Sequence, residues 1–426
     1  MTPNMQTAHK PLIENQFLLA AIIFLFFFST YFYSSGLMDA AGAFDEFDIL
    51  FEMDTPRAIE DMTVFREDHS RTRVHPLYVL MVNPVGSSLT LLVGDEVIAA
   101  RFINSALGAL GVVLAFVFFQ RYGRKTFDAV VLASLFGVTA SQFLISSIPD
   151  TISLGVVSLI LLYTLFFISL KEKRVEFPHW FLVGLFTLGV TTTNFVQAGI
   201  LFFIASFNVL DEKKWVGAIL QSVKFGIVVL AAAVVLALIQ KALYPTTALF
   251  FLPQSFAGEL GYASPLIFQQ PRVVLSYLVR TFLLINIAAP APRFFEIPGL
   301  ENPGVTFAAS NDYSLLGWIA LALWVVLMFF SVGKILIQKK QLLFYVGLGA
   351  CLIFNFLLHS FYGVTPTRIE LFLYTGNLTF LVMTPLVEAY LPKWENVFRI
   401  FLVVLVILLA VNNFQAIQAI IRSMAG

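Results

Sequence analysis

A single cysteine, Cys351, lies in an apolar run of the 426-residue chain, so no intrachain disulfide can brace it. The residue carries no information about redox compartment. No CxxC, HExxH, glycine-rich phosphate loop or GxSxG occurs, which removes the usual footholds for zinc, nucleotide and serine-hydrolase chemistry. Histidine is sparse, with five residues and no cluster at ligand spacing, so no dedicated transition-metal site is expected. Charge is scarce as well. Only 12% of residues are charged, and 26 Lys plus Arg balance 26 Asp plus Glu, so no bulk charge points to nucleic acid.

What is present is apolar. Hydrophobic residues make up 59% of the chain, Phe alone contributes 46, and the mean hydropathy is +0.86. A soluble chain of this length could not hide that much apolar surface, so the bilayer is expected to solvate most of it. A crossing needs about 20 apolar residues, fewer or more with thinning or tilt. Eleven segments qualify: 17–33, 97–119, 126–147, 151–170, 177–193, 195–210, 216–243, 314–338, 341–360, 369–391 and 397–420. The expected fold is an all-α polytopic membrane protein.

Basic residues in short loops set the direction. They gather at Arg121, Arg124 and Lys125; at Lys171, Lys173 and Arg174; at Lys213 and Lys214; at Lys334, Lys339 and Lys340; and at Lys393 and Arg399. All five groups fall inside if the N-terminus is cytoplasmic and the eleven spans alternate; the C-terminus is then outside. Residues 75–93 are long enough for a twelfth crossing. Asn83, Pro84, Gly86, Ser87 and Ser88 interrupt them, and a crossing there would reverse every later basic group, so an interfacial or re-entrant element is expected. The weak basic charge before the first helix, Lys10 alone, favours an uncleaved helix over a signal peptide. Residues 1–426 then form one transmembrane unit with outer loops at 34–96 and 244–313, short inner loops and no soluble C-terminal domain.

The first outer loop is acidic. Twelve of the 26 acids fall in residues 34–96, together with Arg57, Arg66, His69, Arg71, Arg73 and His75. Long loops are disproportionately functional. Within this one, Asp54-Thr-Pro-Arg57-Ala-Ile-Glu60-Asp61 reads as a helix start with Asp54 at the N-cap and Pro56 in the first turn. Asp54, Arg57 and Asp61 then share one face. The same pattern also fits a capped, salt-bridged surface helix.

These residues resemble the membrane glycosyltransferases of the GT-C fold, in the branch of protein O-mannosyltransferases and lipid A aminoarabinose transferases. The resemblance rests on the acidic stretch 45–61, Val74-His75-Pro76-Leu77, Gly94-Asp95-Glu96, Ala100-Arg101-Phe102-Ile103-Asn104-Ser105 and Ser147-Ile148-Pro149-Asp150. Thr367-Arg368-Ile369-Glu370 and Tyr374 match the family's late motif more loosely. His75 is followed by one proline where the family has two, and the soluble C-terminal domain of many relatives is missing, so a partner subunit is conceivable.

The resemblance implies amphipathic juxtamembrane helices in the first outer loop. It also implies inverting transfer of a sugar from a polyprenyl-phosphate donor to a glycan, lipid or protein acceptor, on the extracytoplasmic face of an inner (plasma) membrane. Such chemistry needs a base for the acceptor hydroxyl and cations for the departing phosphate. Asp54 is the first candidate base, with Asp45 and Glu46 as rivals that also fit a solvated acidic turn. Asp61 would orient the acceptor or pair with Arg57. Arg57, His75, Arg101, Arg368 and Tyr374 are the candidates for donor phosphate and substrate, with headgroup snorkelling as the other reading of Arg101 and Arg368. Asp150 would form the rear of the site or cap the helix from Thr151. The closer branch implies no metal cofactor, although a divalent cation serves some relatives. The alternatives are a transporter or flippase of lipid-linked sugars, a polysaccharide polymerase, or a non-catalytic membrane subunit.

Overall fold

The computed structural model describes residues 10–210, 214–308, 310–339, 341–365, 369–390 and 394–424. Helices dominate. The first half holds α1 (Lys10–Asp39), α2 (Thr55–Thr63), α3 (Tyr78–Val93), α4 (Glu96–Tyr122), α5 (Thr126–Val138), α6 (Ala140–Ser147), α7 (Ile152–Glu172), α8 (Phe177–Val190), α9 (Asn194–Val209) and α10 (Lys214–Leu243). Short α11 (Pro253–Leu260), α12 (Leu266–Gln269) and α13 (Pro271–Arg280) precede α14 (Leu315–Gln338), α15 (Leu342–Phe361), α16 (Gly376–Met383) and α17 (Glu395–Met424). One antiparallel ribbon, β1 (Arg293–Phe295) with β2 (Gly304–Thr306), interrupts them.

The chain is an all-α polytopic membrane protein: α1, α4, α7, α10, α14, α15 and α17 are long and apolar enough to cross a bilayer, and the bent pair α5–α6 adds an eighth if it counts as one span. The other three expected spans take shorter forms. Residues 177–193 and 195–210 become the 14-residue α8 and the 16-residue α9. Of the expected span 369–391, Leu373–Glu388 forms 3-10 turns flanking α16, with Pro385 in the second turn. The interrupted segment 75–93 is α3, a 16-residue helix below the length of a crossing.

Burial separates axis from rim. The apolar stretch of α7 is 78% buried and that of α4 61%, against 22% for α1 and α10. Lipid tails give no hydrophobic drive between helices, so close packing has to hold the axis. Phenylalanine supplies it: Phe118, Phe136, Phe167, Phe344 and Phe380 meet ring to ring between α4, α5, α7, α15 and α16.

The expected single span 126–147 is instead broken by 64° between α5 and α6. Backbone groups freed inside a bilayer must find partners, and here they do. Tyr31 Oη donates to Gly137 O at 2.8 Å, and Asn413 Nδ2 to Val138 O at 2.8 Å. Ala140 N and Ser141 N donate to Ile287 O and Asn286 O at 2.9 and 3.0 Å.

The two ends of the bundle differ. At one end Lys125 meets Glu395 and Arg399 meets Asp128, while Lys334 lies 3.7 Å from Glu388. At the other end the connections 40–95 and 244–314 are knitted together. Phe51 N donates to Val305 O and Val305 N to Ile49 O, while Thr72 Oγ1 bonds Ala248 on both its N and O atoms. Asp48, Phe51 and Glu52 all have positive φ, a strained run that this pairing holds immediately before α2.

Candidate functional site

Where the knitted connections meet the bundle lies a cavity of about 550 Å³. Its walls come from the turn 52–58, the 3-10 turn Ser70–Arg73, the α6–α7 and α8–α9 turns, α11, the end of α15 and the approach to α16.

α2 brings three acids and bases to this wall. Asp54 occupies the N-cap position as expected, but its side chain makes no capping bond. Its carboxylate instead accepts from Arg57 Nη1 at 3.0 Å, and the Arg57 guanidinium lies over the Phe47 ring. One helical turn on, Asp61 is 3% exposed and Oδ1 lies 2.6 Å from His69 Nδ1. Burial pushes the Asp61 carboxyl up, and the His69 contact opposes that. α2 is held in place by α3. A Cβ at Gly86 would collide with the Met62 carbonyl oxygen, and Asn83 Nδ2 donates to Asp61 O at 3.1 Å and Val64 O at 2.9 Å. Two of the residues that interrupt 75–93 as a span, Asn83 and Gly86, are therefore the seat of α2.

His75 comes next. Its Nδ1 is 2.8 Å from Val190 O, an atom that can only accept, so Nδ1 carries the proton and Nε2 keeps its lone pair. Nε2 lies 3.5 Å from Thr151 Oγ1. Burial lowers the imidazole to about 4, so it is neutral at physiological pH. Asp150 does cap α7, accepting from Ile152 N at 3.1 Å and Thr151 Oγ1 at 3.2 Å, and it also lines the cavity. Burial raises its carboxyl to about 6.

Opposite stands a cationic cluster that the sequence did not single out. Arg73 Nε is 2.8 Å and Arg71 Nη1 3.8 Å from Glu259 Oε1 of α11, and Tyr362 Oη donates to Glu259 Oε2 at 3.0 Å. Deeper in, Tyr374 stacks on His359 with centroids 4.2 Å apart, and Tyr374 Oη donates to Glu370 Oε2 at 3.3 Å. His359 Nδ1 donates to Tyr362 O at 3.2 Å, and the uncharged Asn355 and Asn377 line the same cavity.

Of the sequence candidates, Asp54, Arg57, Asp61, His75 and Tyr374 line this one cavity. Asp45, Glu46 and Arg101 do not. Glu46 accepts from Glu301 N and Asn302 N at 3.0 and 3.1 Å and so ties the two connections together; Asp45 sits in the same turn, near Gly42. Arg101 donates to Asp39 at 2.6 Å and lies over Phe32, joining α4 to α1. Arg368 lies outside the described residues. Among the described residues no three His, Cys, Asp or Glu side chains converge at ligand spacing for a metal ion. The signal for Arg71 and Arg73 was their alternation just before Val74-His75-Pro76; Glu259 and His359 carried no local signal.

Chemically, the cavity combines carboxylates for proton removal, guanidinium groups for an anion, and a neutral, hydrogen-bonding and aromatic interior. Comparison with protein-family models, with curated proteins and with solved structures finds no match.

Proposed function

We propose that this protein is a membrane glycosyltransferase that moves a sugar from a polyprenyl-phosphate donor to an acceptor at the extracytoplasmic face. The observation that carries the reading is the convergence of Asp54, Asp61 and Asp150 with Arg57, Arg71 and Arg73 on one cavity at one end of the bundle. Sidedness follows from charge. Arg121, Lys125, Lys171, Lys334 and Arg399 lie at the end away from the cavity, and basic loops stay inside. This asymmetry supports an extracytoplasmic cavity. Apolar lining at Phe250, Leu260, Leu358 and Phe361 suits a prenyl chain beside the phosphate.

In this mechanism Asp54 takes the proton of the acceptor hydroxyl. The hydroxyl oxygen attacks the anomeric carbon from the face opposite the phosphate, the bond from that carbon to the phosphate oxygen breaks, and the configuration inverts. The charge left on the polyprenyl phosphate is stabilised by arginine, whose planar fork matches phosphate oxygens. Neutral His75, whose Nε2 is an acceptor held only by a long 3.5 Å contact to Thr151 Oγ1, orients a hydroxyl of sugar or acceptor.

A second reading, a flippase of lipid-linked sugars, draws on the 64° break between α5 and α6, since broken helices frame many transport sites. Reconstituted protein supplied with a mixture of polyprenyl-phosphate sugars separates the two. Glycosyl transfer reports on the first reading, and movement of donor between leaflets without transfer supports the second. Under the first, Asp54→Asn lowers turnover by about 10² or more while donor binding persists, in line with loss of a general base. Full turnover by that variant refutes the role given to Asp54.

A further inference from the structure

In this structure the groups best suited to grip an anion already hold one. Arg71 and Arg73 on one connection and Tyr362 at the end of α15 all converge on the Glu259 carboxylate, which comes from the other connection. The Arg71 and Arg73 side chains keep 26% and 27% of their surface exposed and Glu259 17%, while the contacting atoms Arg73 Nε and Glu259 Oε1 are themselves buried. Tyr362 donates to one carboxylate oxygen, and the two guanidinium charges face the other as ion pairs without hydrogen-bond geometry. Two positive charges and a hydroxyl are what a phosphate monoester would need, and its extra oxygen offers the arginines a better partner. The helix carrying Glu259 is otherwise lightly held: Leu260 is 71% exposed and Leu252 40%. Leu260 and Phe361 flank this donor set on the cavity wall, and Phe268, 77% exposed, extends the apolar lip by packing on Phe361. A phosphate seated on the arginines would find hydrocarbon contacts next to it.

We propose that Arg71, Arg73 and Tyr362 form an anion subsite for the phosphate of a lipid-borne ligand, and that Glu259 fills this subsite until ligand displaces it. The carboxylate neutralises both arginines and keeps α11 down over the cavity. Ligand binding exchanges one anion for another and frees α11, so the second connection becomes a lid whose closure is strongest when the cavity is empty. The inference rests on glycosyl transfer only for the lipid nature of the ligand; the competition between two anions stands apart from catalysis.

Farnesyl phosphate, farnesol and inorganic phosphate, titrated into the full-length protein in detergent, test it. Removing the internal competitor with Glu259→Gln should tighten farnesyl phosphate about tenfold or more, whereas Arg73→Gln should weaken it by a similar factor. Inorganic phosphate should compete but bind more weakly, and farnesol should not compete for the arginines. Unchanged or weaker binding of farnesyl phosphate by Glu259→Gln overturns the proposal, and inorganic phosphate binding as tightly as farnesyl phosphate overturns its lipid part. Should that variant fail to fold, hydrogen exchange in the wild type decides. Saturating farnesyl phosphate should speed exchange of the amides in Pro253–Leu260, and unchanged or slower exchange contradicts displacement. A protein that binds in this way yet transfers no sugar keeps the subsite and loses the enzyme.

Discussion

His75 and Asp150 face each other across Thr151, and both have ionisation shifted by burial, in opposite chemical senses. Asp150 moves from 3.8 to about 6, so its contribution to stability is complete below about 3.8 and is lost as pH rises through about 6. Asp150→Asn keeps an oxygen to cap α7 but cannot ionise. We expect thermal melting in detergent to show the stability of the wild type relative to the variant falling between pH 4 and 7, by on the order of 2 kcal/mol, a difference in which the contribution of His75, common to both, cancels. His75 works the other way: its neutral form supports the fold above about 6.5, and that support is lost as pH falls through about 4. Arg101 belongs to a different category. Its pairing with Asp39 between α4 and α1 leads us to expect that Arg101→Ala lowers stability by roughly 1–3 kcal/mol, as breaking a partly buried pair does, with KM for the donor unchanged. Asp54, Arg57 and Asp61 were legible because three- and four-residue spacing in one helix is a local pattern. Arg73 with Glu259 was not, because nothing in either segment announces a partner so far along the chain.

Among the elements, α2 and α3 decide whether the acids reach the cavity. The small and polar residues of 75–93 read as a defect in a span, and that reading kept the segment out of the crossing count. Sequence could not add that the same positions receive the backbone of α2, because Gly86 and Asn83 act on carbonyl oxygens of another helix. Gly86→Leu should push α2 away and reduce transfer at least as much as loss of Asp54, while Val85→Leu, on an exposed position beside it, should leave transfer intact. Kinetics of the two variants check this. The break between α5 and α6 escaped the sequence for a related reason. Hydropathy is continuous through residues 126–147, and what makes the bend tolerable is supplied from Tyr31, Asn286, Ile287 and Asn413.

For the molecule as a whole, composition was enough to establish the class, since no other solvent accommodates 59% hydrophobic residues. The architecture follows from it: a phenylalanine-packed axis, basic residues paired with acids at one end, and two long connections woven over a cavity at the other. Orientation is testable with an impermeant thiol reagent, because the native Cys351 is buried. A cysteine replacing exposed Asp68 should react in intact cells, and one replacing exposed Lys171 only after permeabilisation. The central claim is that this cavity receives the phosphate end of a polyprenyl lipid. A photoreactive polyprenyl phosphate, cross-linked in membranes and mapped by peptide mass spectrometry, tests it most directly. Adducts are expected in residues 71–78, 250–262 and 355–362, lost in the presence of excess unlabelled lipid. Adducts confined to the lipid-facing surfaces of α1 and α10, or to the Tyr122–Glu388 end of the bundle, would contradict it.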